Sequence, residues 1–214
     1  AVFVNIWGKT INDYVQVAAG LDAEKDGIAG LEINISCPNI KEGGLSFGTD
    51  LALAGDVVSA VRDATDLPLM TKLSPNVSNI AAFAERVVDC GSDMVSLINT
   101  FPAMAIDIDT RKPKIGAGSG GLSGRSIKPM AVKMVYDVRR ALPAEIPIIG
   151  MGGIYTAADA IEFMLAGADA IAVGTAIFAD PETPFKVMDG IAEYLEKNGL
   201  TSVGEIVGQV EAVD

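Results

Sequence analysis

The chain alternates short apolar runs with longer amphipathic ones, and the short runs do not alternate apolar with polar. VFVNIW (2–7), GLEINI (30–35), PLMTKL (68–73), DMVSLIN (93–99), EIPIIG (145–150) and DAIAV (169–173) are near-continuous in Val, Ile, Leu and Met. A strand with one wet face alternates. A strand buried on both faces does not, so these runs predict a parallel sheet covered by helices. The intervening segments carry helix signals. Thr10 can cap a helix to about Gly20, with Asp13 in its first turn, and Asp50 opens one to about Asp63. Ser78 caps NIAAFAERVVDC, which Gly91 ends; a helix runs from about Ser126 to Ala141; Thr156 caps one that Gly167 stops. Two more helical pieces follow Pro184.

Two α/β architectures fit this order: an open doubly wound sheet and a (β/α)8 TIM barrel. Glycines follow the last two strands, at Gly150, Gly152 and Gly153 and at Gly174-Thr175. Phosphate sites built from the loops after barrel strands seven and eight look like this, although ordinary turns needing positive φ do too. The barrel reading carries an arithmetic consequence. Six βα units are visible in residues 1–214, which form one domain, and a barrel has eight, so the first two are expected to be missing from this sequence. Residues 100–124 read as a long irregular stretch of the kind that, inside a compact domain, is usually functional or disordered. Gly116, Gly118 and Gly121 have GxGxxG spacing, but they lie inside that stretch rather than between a core strand and its helix, so the match reads as chance.

Composition removes several chemistries. The chain has no histidine, which excludes a Ser-His-Asp triad, a Cys-His pair and a His-ligated metal. Its two cysteines, Cys37 and Cys90, build neither a disulfide framework nor a four-cysteine zinc site, and no metal site is expected. Lone thiols fit a cytoplasmic setting. The net charge of −12 disfavours nucleic acid as partner, and no apolar run is long enough for a membrane span. The first ten residues, AVFVNIWGKT, lack the pattern of a signal peptide.

The segment that carries most chemistry is NISCPN (34–39), where a strand leaves the sheet. Asn34 and Asn39 bracket Cys37. An asparagine pair can read the edge of a planar amide ring, and an exposed thiol can serve as base or nucleophile. Cys90, beside Val87 and Val88 on a helix, reads instead as a small hydrophobe. Lys72 ends an apolar strand, where an unpaired lysine is costly unless it reaches solvent or meets an anion. Arg125 and Lys128 flank a helix start and either assist a phosphate or are simply solvated.

NISCPN followed by IKEGGLSFGTD resembles class 1 dihydroorotate dehydrogenases, and in particular their NAD-linked two-subunit branch. The resemblance continues through TKLSPNV (71–77), LINT (97–100), GGLSGRSIKP (120–129), IPIIGMGGI (146–154) and AVGTAIF (172–178), which is essentially the whole chain. It implies an FMN-dependent (β/α)8 barrel that oxidises dihydroorotate to orotate in pyrimidine synthesis. On that resemblance Cys37 is the base that takes the C5 proton, while the C6 hydride goes to the flavin. Asn34, Asn39, Asn99 and Thr100 would contact substrate. Asn5, Asn34, Lys72, Ile98, Gly124, Gly152, Gly153, Gly174 and Thr175 would hold FMN, with Lys72 at the pyrimidine edge of the flavin and the glycines at the phosphate. The branch also implies a partner subunit carrying FAD and a 2Fe–2S cluster, around a homodimeric core.

The family's earliest strands carry further flavin contacts, a substrate-binding lysine and a closing loop, none of which has a counterpart here. The chain alone is therefore expected to bind FMN weakly. Two other readings stay open on the sequence: a flavin barrel similar to dihydropyrimidine dehydrogenase, and a non-catalytic barrel that binds a phosphorylated metabolite.

Overall fold

A computed structural model describes residues 1–36 and 47–211 of the chain. Cys37 and Asn39 lie outside the described residues. The elements in chain order are β1 (Phe3–Ile6), α1 (Ile11–Ala23), β2 (Gly30–Asn34), α2 (Leu51–Arg62), β3 (Leu69–Lys72), α3 (Ile80–Asp89) and β4 (Met94–Leu97). Four short strands follow: β5 (Phe101–Ala103), β6 (Ile106–Asp107), β7 (Lys112–Pro113) and β8 (Gly120–Leu122). Then come α4 (Lys128–Ala141), β9 (Ile148–Met151), α5 (Ala157–Ala166), β10 (Ala170–Ala172) and α6 (Thr183–Lys197).

Six strands form one parallel sheet in the order β1-β2-β3-β4-β9-β10. The order never reverses. A doubly wound sheet reverses at a switch point, whereas a barrel adds each strand to the same side of the last, so the topology is that of a partial (β/α)8 barrel. Consecutive helices pack against one another from α1 through to α6 along the outside.

The sheet has two unlike faces. Leu31, Ile33, Leu69, Val95, Leu97 and Ile148 turn outward beneath the helices and are fully buried. Each contributes about 1.5–3 kcal/mol relative to exposure, which makes this layer the main source of stability. Residues of the opposite parity face the concave side: Asn5, Glu32 and Asn34, then Lys72 and Ser96, with Met151 and Ala172 further round. Most of these are only partly buried, so the expectation of strands buried on both faces holds for the convex layer alone. The curl is tight enough for Ser96 Oγ on β4 to reach Glu32 Oε1 on β2 at 2.7 Å, across β3.

Local signals set the helix starts. Thr10 and Thr156 each form a capping box with the aspartate three residues on, Asp13 and Asp159. The Asp50 side chain accepts from the backbone N–H of Ala52 and Leu53. At α3 the cap is Asn79 rather than Ser78: its extended backbone aims Oδ1 at the Ala82 N–H, 3.3 Å away. Asparagine caps as well as serine, so the helix starts one residue later than expected. Gly167 ends α5 at φ +119°, in the left-handed region.

The stretch 100–124 is not irregular. β5 pairs with β8 and β6 with β7, both antiparallel, so the chain leaves the barrel rim as a nested excursion and returns. Asp107 fixes its tip by accepting from Asp109 N, Thr110 N and Thr110 Oγ1 at 2.8–3.1 Å. Gly121 pairs with Pro102 inside this ladder, in keeping with the GxGxxG spacing being incidental. Two helical pieces do follow Pro184: the rest of α6 and a short 3-10 turn at Val203–Glu205. No helix among the described residues is long and apolar enough to cross a membrane.

Candidate active site

The concave face and the loops after β4, β9 and β10 enclose a cavity of about 340 Å³, which is of small-molecule size. It lies at the C-terminal ends of the strands, where barrels carry their chemistry. Lys72, Ile98, Asn99, Thr100, Gly124, Gly152, Gly153, Gly174 and Thr175 all line it. Nine residues singled out in sequence thus meet in one place, although they come from five separate segments.

One end of the cavity is glycine-lined. Gly152 and Gly153 have φ of +128° and +83°, and Gly124 has +86°. A Cβ on Gly153 would stand 2.8 Å from the Gly124 carbonyl oxygen, so the two loops pack backbone to backbone. Gly174 differs. A Cβ there would meet no atom within 4 Å. Packing does not require that glycine; its effect is to leave room in the cavity. Thr175 Oγ1 donates to Ser123 Oγ at 2.9 Å, tying the loop after β10 to the segment after β8. Gly150 belongs elsewhere: a Cβ on it would strike the Phe163 ring at 2.6 Å, so it serves strand–helix packing and not the cavity.

The two cations left open between phosphate and solvent are both engaged. Lys128 Nζ lies 2.7 Å from Asp159 Oδ1 and 2.7 Å from Glu162 Oε1. The hydrogen bonds it donates to both carboxylates raise its pKa above the usual lysine range. Burial pushes the Asp159 carboxyl up, but the bonds from Lys128, Tyr155 N and Thr156 more than offset it, and the net shift is downward. The Arg125 guanidinium lies 4.2 Å from the centroid of the Tyr155 ring, itself part of the cavity wall.

The other end is polar. Lys72 is half-buried, with no carboxylate within 4.0 Å among the described residues. Its register neighbours are Asn34 on β2 and Ser96 on β4. Asn5 and Asn34 stand beside the cavity rather than in its wall. Asn5 Nδ2 donates to Glu32 Oε2 at 2.5 Å, and Asn34 Nδ2 donates to Asn5 Oδ1 at 3.4 Å. Ser36 N and Oγ donate to Asn34 Oδ1 at 3.2 and 2.8 Å. Asn99 Nδ2 donates to Ser36 O and Oγ, both at 2.9 Å. Ile98 is buried, and its N–H donates to the Met151 carbonyl at 3.1 Å. Tyr14 Oη donates to the Asn34 carbonyl at 3.0 Å, and the Tyr14 ring meets Phe47 edge-on. Both flanks of the Cys37 segment are therefore anchored.

The sequence reading missed Glu32, Ser36, Ser96 and Tyr155. Glu32 left a usable signal, a lone carboxylate in GLEINI, which is the argument already applied to Lys72 in PLMTKL. Cys90 packs partly buried against the core, as its neighbours suggested.

The site can do three things. Its glycine-lined end can accept an anionic tail, Lys72 can stabilise negative charge on a ring, and the asparagines can read a planar amide. A ligand with a phosphate tail and a planar ring that takes up negative charge fits these features, and the free space at Gly174 leaves room for it.

Comparison with known proteins agrees. Residues 1–195 match the family model described as dihydroorotate dehydrogenase. The chain is 51% identical over 207 residues to a protein of Geotalea uraniireducens named dihydroorotate dehydrogenase B (NAD(+)), catalytic subunit, which covers 97% of this chain and 67% of the relative. Proteins of the same name from Desulforamulus reducens (51% over 207 residues, 97% and 67%) and Bacteroides fragilis (49% over 210 residues, 98% and 68%) are similar to it as well.

Proposed function

Because the chain belongs to the dihydroorotate dehydrogenase family, we propose that it forms most of the catalytic subunit of an NAD-linked dihydroorotate dehydrogenase, which oxidises dihydroorotate to orotate in pyrimidine biosynthesis. It spans about two thirds of the length of the relatives it matches. The observation that carries the reading is the single cavity uniting Lys72, Asn99 and Thr100 with the glycine loops of Gly152, Gly153 and Gly174.

FMN, when bound, supplies the two-electron acceptor. Gly124, Gly152, Gly153, Gly174 and Thr175 would hold its phosphate and ribityl tail, because backbone N–H groups approach an anion closely where no Cβ intervenes. Lys72 would face the pyrimidine edge of the ring, where its positive charge favours the reduced, anionic form. The backbone at Ile98 would flank the ring, and Asn5 and Asn34 would contact it. Asn34, Asn39, Asn99 and Thr100 would orient the substrate. Cys37 Sγ would remove the C5 proton; in a chain without histidine a thiolate is the natural base at this position. We place the enzyme in the cytoplasm, as a homodimeric core joined by a subunit carrying FAD and a 2Fe–2S cluster.

An anaerobic visible spectrum of the purified full-length protein tests this reading. Bleaching of a bound flavin by dihydroorotate is the expected result. A flavin that ignores dihydroorotate but bleaches with another dihydropyrimidine would transfer the assignment to the dihydropyrimidine dehydrogenases.

A further inference from the structure

Among the described residues, the wall of the cavity carries one acid and one base. Glu32 on β2 and Lys72 on the adjacent strand β3 are its charged members, and the other lining side chains are neutral. Both are half-buried. They do not pair. Lys72 has no carboxylate within 4.0 Å, and Glu32 has no ammonium or guanidinium within 4.0 Å, among the described residues.

Neutral donors hold the Glu32 carboxylate instead. Asn5 Nδ2, on β1, donates to Oε2 at 2.5 Å, and Ser96 Oγ, on β4, donates to Oε1 at 2.7 Å. One donor comes from each side of β2. The register partner of Glu32 is Met70, so the carboxylate starts two residues below Lys72 on the concave face. A neutral donor orients a carboxylate without cancelling its charge. An unpaired charge that is half enclosed carries a desolvation cost, which a direct pair with Lys72 would reduce. The two donors hold the carboxylate out of that pair. Both charges are therefore left to act on whatever fills the cavity.

We infer that Glu32 is an electrostatic control on the bound flavin: its carboxylate opposes Lys72 and keeps the reduction potential of the ring below the value that Lys72 alone would give. This rests on the dehydrogenase reading, in which the cavity holds FMN. Uptake of two electrons and one proton adds one negative charge to the ring. Lys72 favours that form, and Glu32 disfavours it. Contact is not required for a measurable effect. At an effective dielectric constant of about 20, two unit charges about 10 Å apart change an equilibrium by more than tenfold. A ring stabilised by Lys72 alone would accept a hydride but give up its electrons less readily; the opposing carboxylate restores the second half of the cycle.

The test is the midpoint potential of the flavin in the full-length holoprotein, by spectroelectrochemical titration, with melting temperature measured in parallel. Glu32→Gln removes the charge and keeps both bonds, because its carbonyl still accepts from Asn5 and its amide donates to Ser96. It should move the two-electron equilibrium toward reduced flavin at least tenfold, which is about 30 mV upward. Glu32→Asp keeps the charge on a shorter arm and gives up part of the bonding. Its potential should stay within about threefold of wild type even where its melting temperature falls. A glutamate that served only through its hydrogen bonds would show the reverse order. An unchanged potential in Glu32→Gln, or an upward shift in Glu32→Asp as large as that in Glu32→Gln, overturns the assignment alone. A wild-type protein that carries no flavin overturns the cofactor reading, and this assignment with it.

Glu32→Gln leaves Lys72 as an unopposed charge. Should that variant not fold, the double variant Glu32→Gln with Lys72→Met, whose wall is neutral, is compared with Lys72→Met. The double variant should lie at least tenfold further toward reduced flavin, and equal potentials overturn the assignment.

Discussion

Lys128 joins the glycine-lined end of the cavity to the start of α5. Its Nζ lies 2.7 Å from Asp159 Oδ1, and its Cβ occupies the space that a Cβ on Gly153 would enter, at 2.9 Å. Asp159 in turn accepts from Tyr155 N, Thr156 N and Thr156 Oγ1. Lys128→Met strands a carboxylate whose side chain is only 10% exposed. The expected loss is about 1–3 kcal/mol, a fall of some ~2–10 °C in Tm, which thermal unfolding would measure.

The same pair gives a pH signature. Asp159 sits below its ordinary pKa of 3.8, so its contribution is present above that value and disappears as pH falls through the lower range beneath it. Lys128 sits above its ordinary 10.5, so its contribution is present below that value and is lost as pH rises past it. Chemical unfolding across pH should show wild type losing stability at both extremes, and Lys128→Met should lack the alkaline part.

Two glycines on the same cavity should respond differently. Gly153→Ala forces a side chain into φ +83° and against the Gly124 carbonyl. It should destabilise the fold by more than about 1 kcal/mol. At Gly174 a Cβ would meet no atom within 4 Å. Gly174→Val should lower Tm less than Gly153→Ala while reducing flavin affinity at least tenfold, as read by flavin fluorescence on titration. A Gly174→Val protein that retains flavin normally would remove that loop from the cofactor site.

Lys72 is half-buried with no acidic partner among the described residues. Lys72→Met should cost little stability, because no ion pair is broken. The bound flavin should become harder to reduce, by about 30 mV for each 1.4 kcal/mol of lost stabilisation of the reduced ring. Spectroelectrochemical titration gives the value directly; an unchanged potential would place Lys72 away from the ring.

Cys37→Ala should retain flavin and orotate binding but lose at least about a hundredfold in the rate of flavin reduction by dihydroorotate, measured by stopped flow. Cys37→Ser should keep more of the rate, with its pH dependence moved upward, because a hydroxyl gives up its proton less readily than a thiol.

What could be read in advance follows from the range of the interactions. The capping boxes of Thr10 and Thr156 close within three residues, and short sequence suffices to see them. The Ser78–Asn79 ambiguity is equally local, two good caps side by side, and only backbone geometry separates them. The loops of Gly152, Gly153 and Gly174 were legible because each follows a strand end, whereas Gly124 came only from the resemblance. Glu32 was not, since reading it requires the curl that brings β4 back over β2 and places Ser96 within 2.7 Å. The partners of Lys128 lie 31 and 34 residues away on a neighbouring helix, and no spacing rule reaches that far. Gly150 looked like its neighbours Gly152 and Gly153, and only its place inside β9, turned toward Phe163, sets it apart.

The excursion between β5 and β8 meets the barrel at two points. Its outgoing leg begins at Thr100, whose carbonyl accepts from Asn76 Nδ2 at 3.1 Å, and its returning leg ends at Ser123, bonded to Thr175 Oγ1. Both root residues line the cavity, one at the amide-reading end and one at the glycine end. A pull on the distal tip at Ile108, 85% exposed, is thus shared between two hinges. Mechanically the excursion is a two-legged handle, rooted at both ends of the pocket.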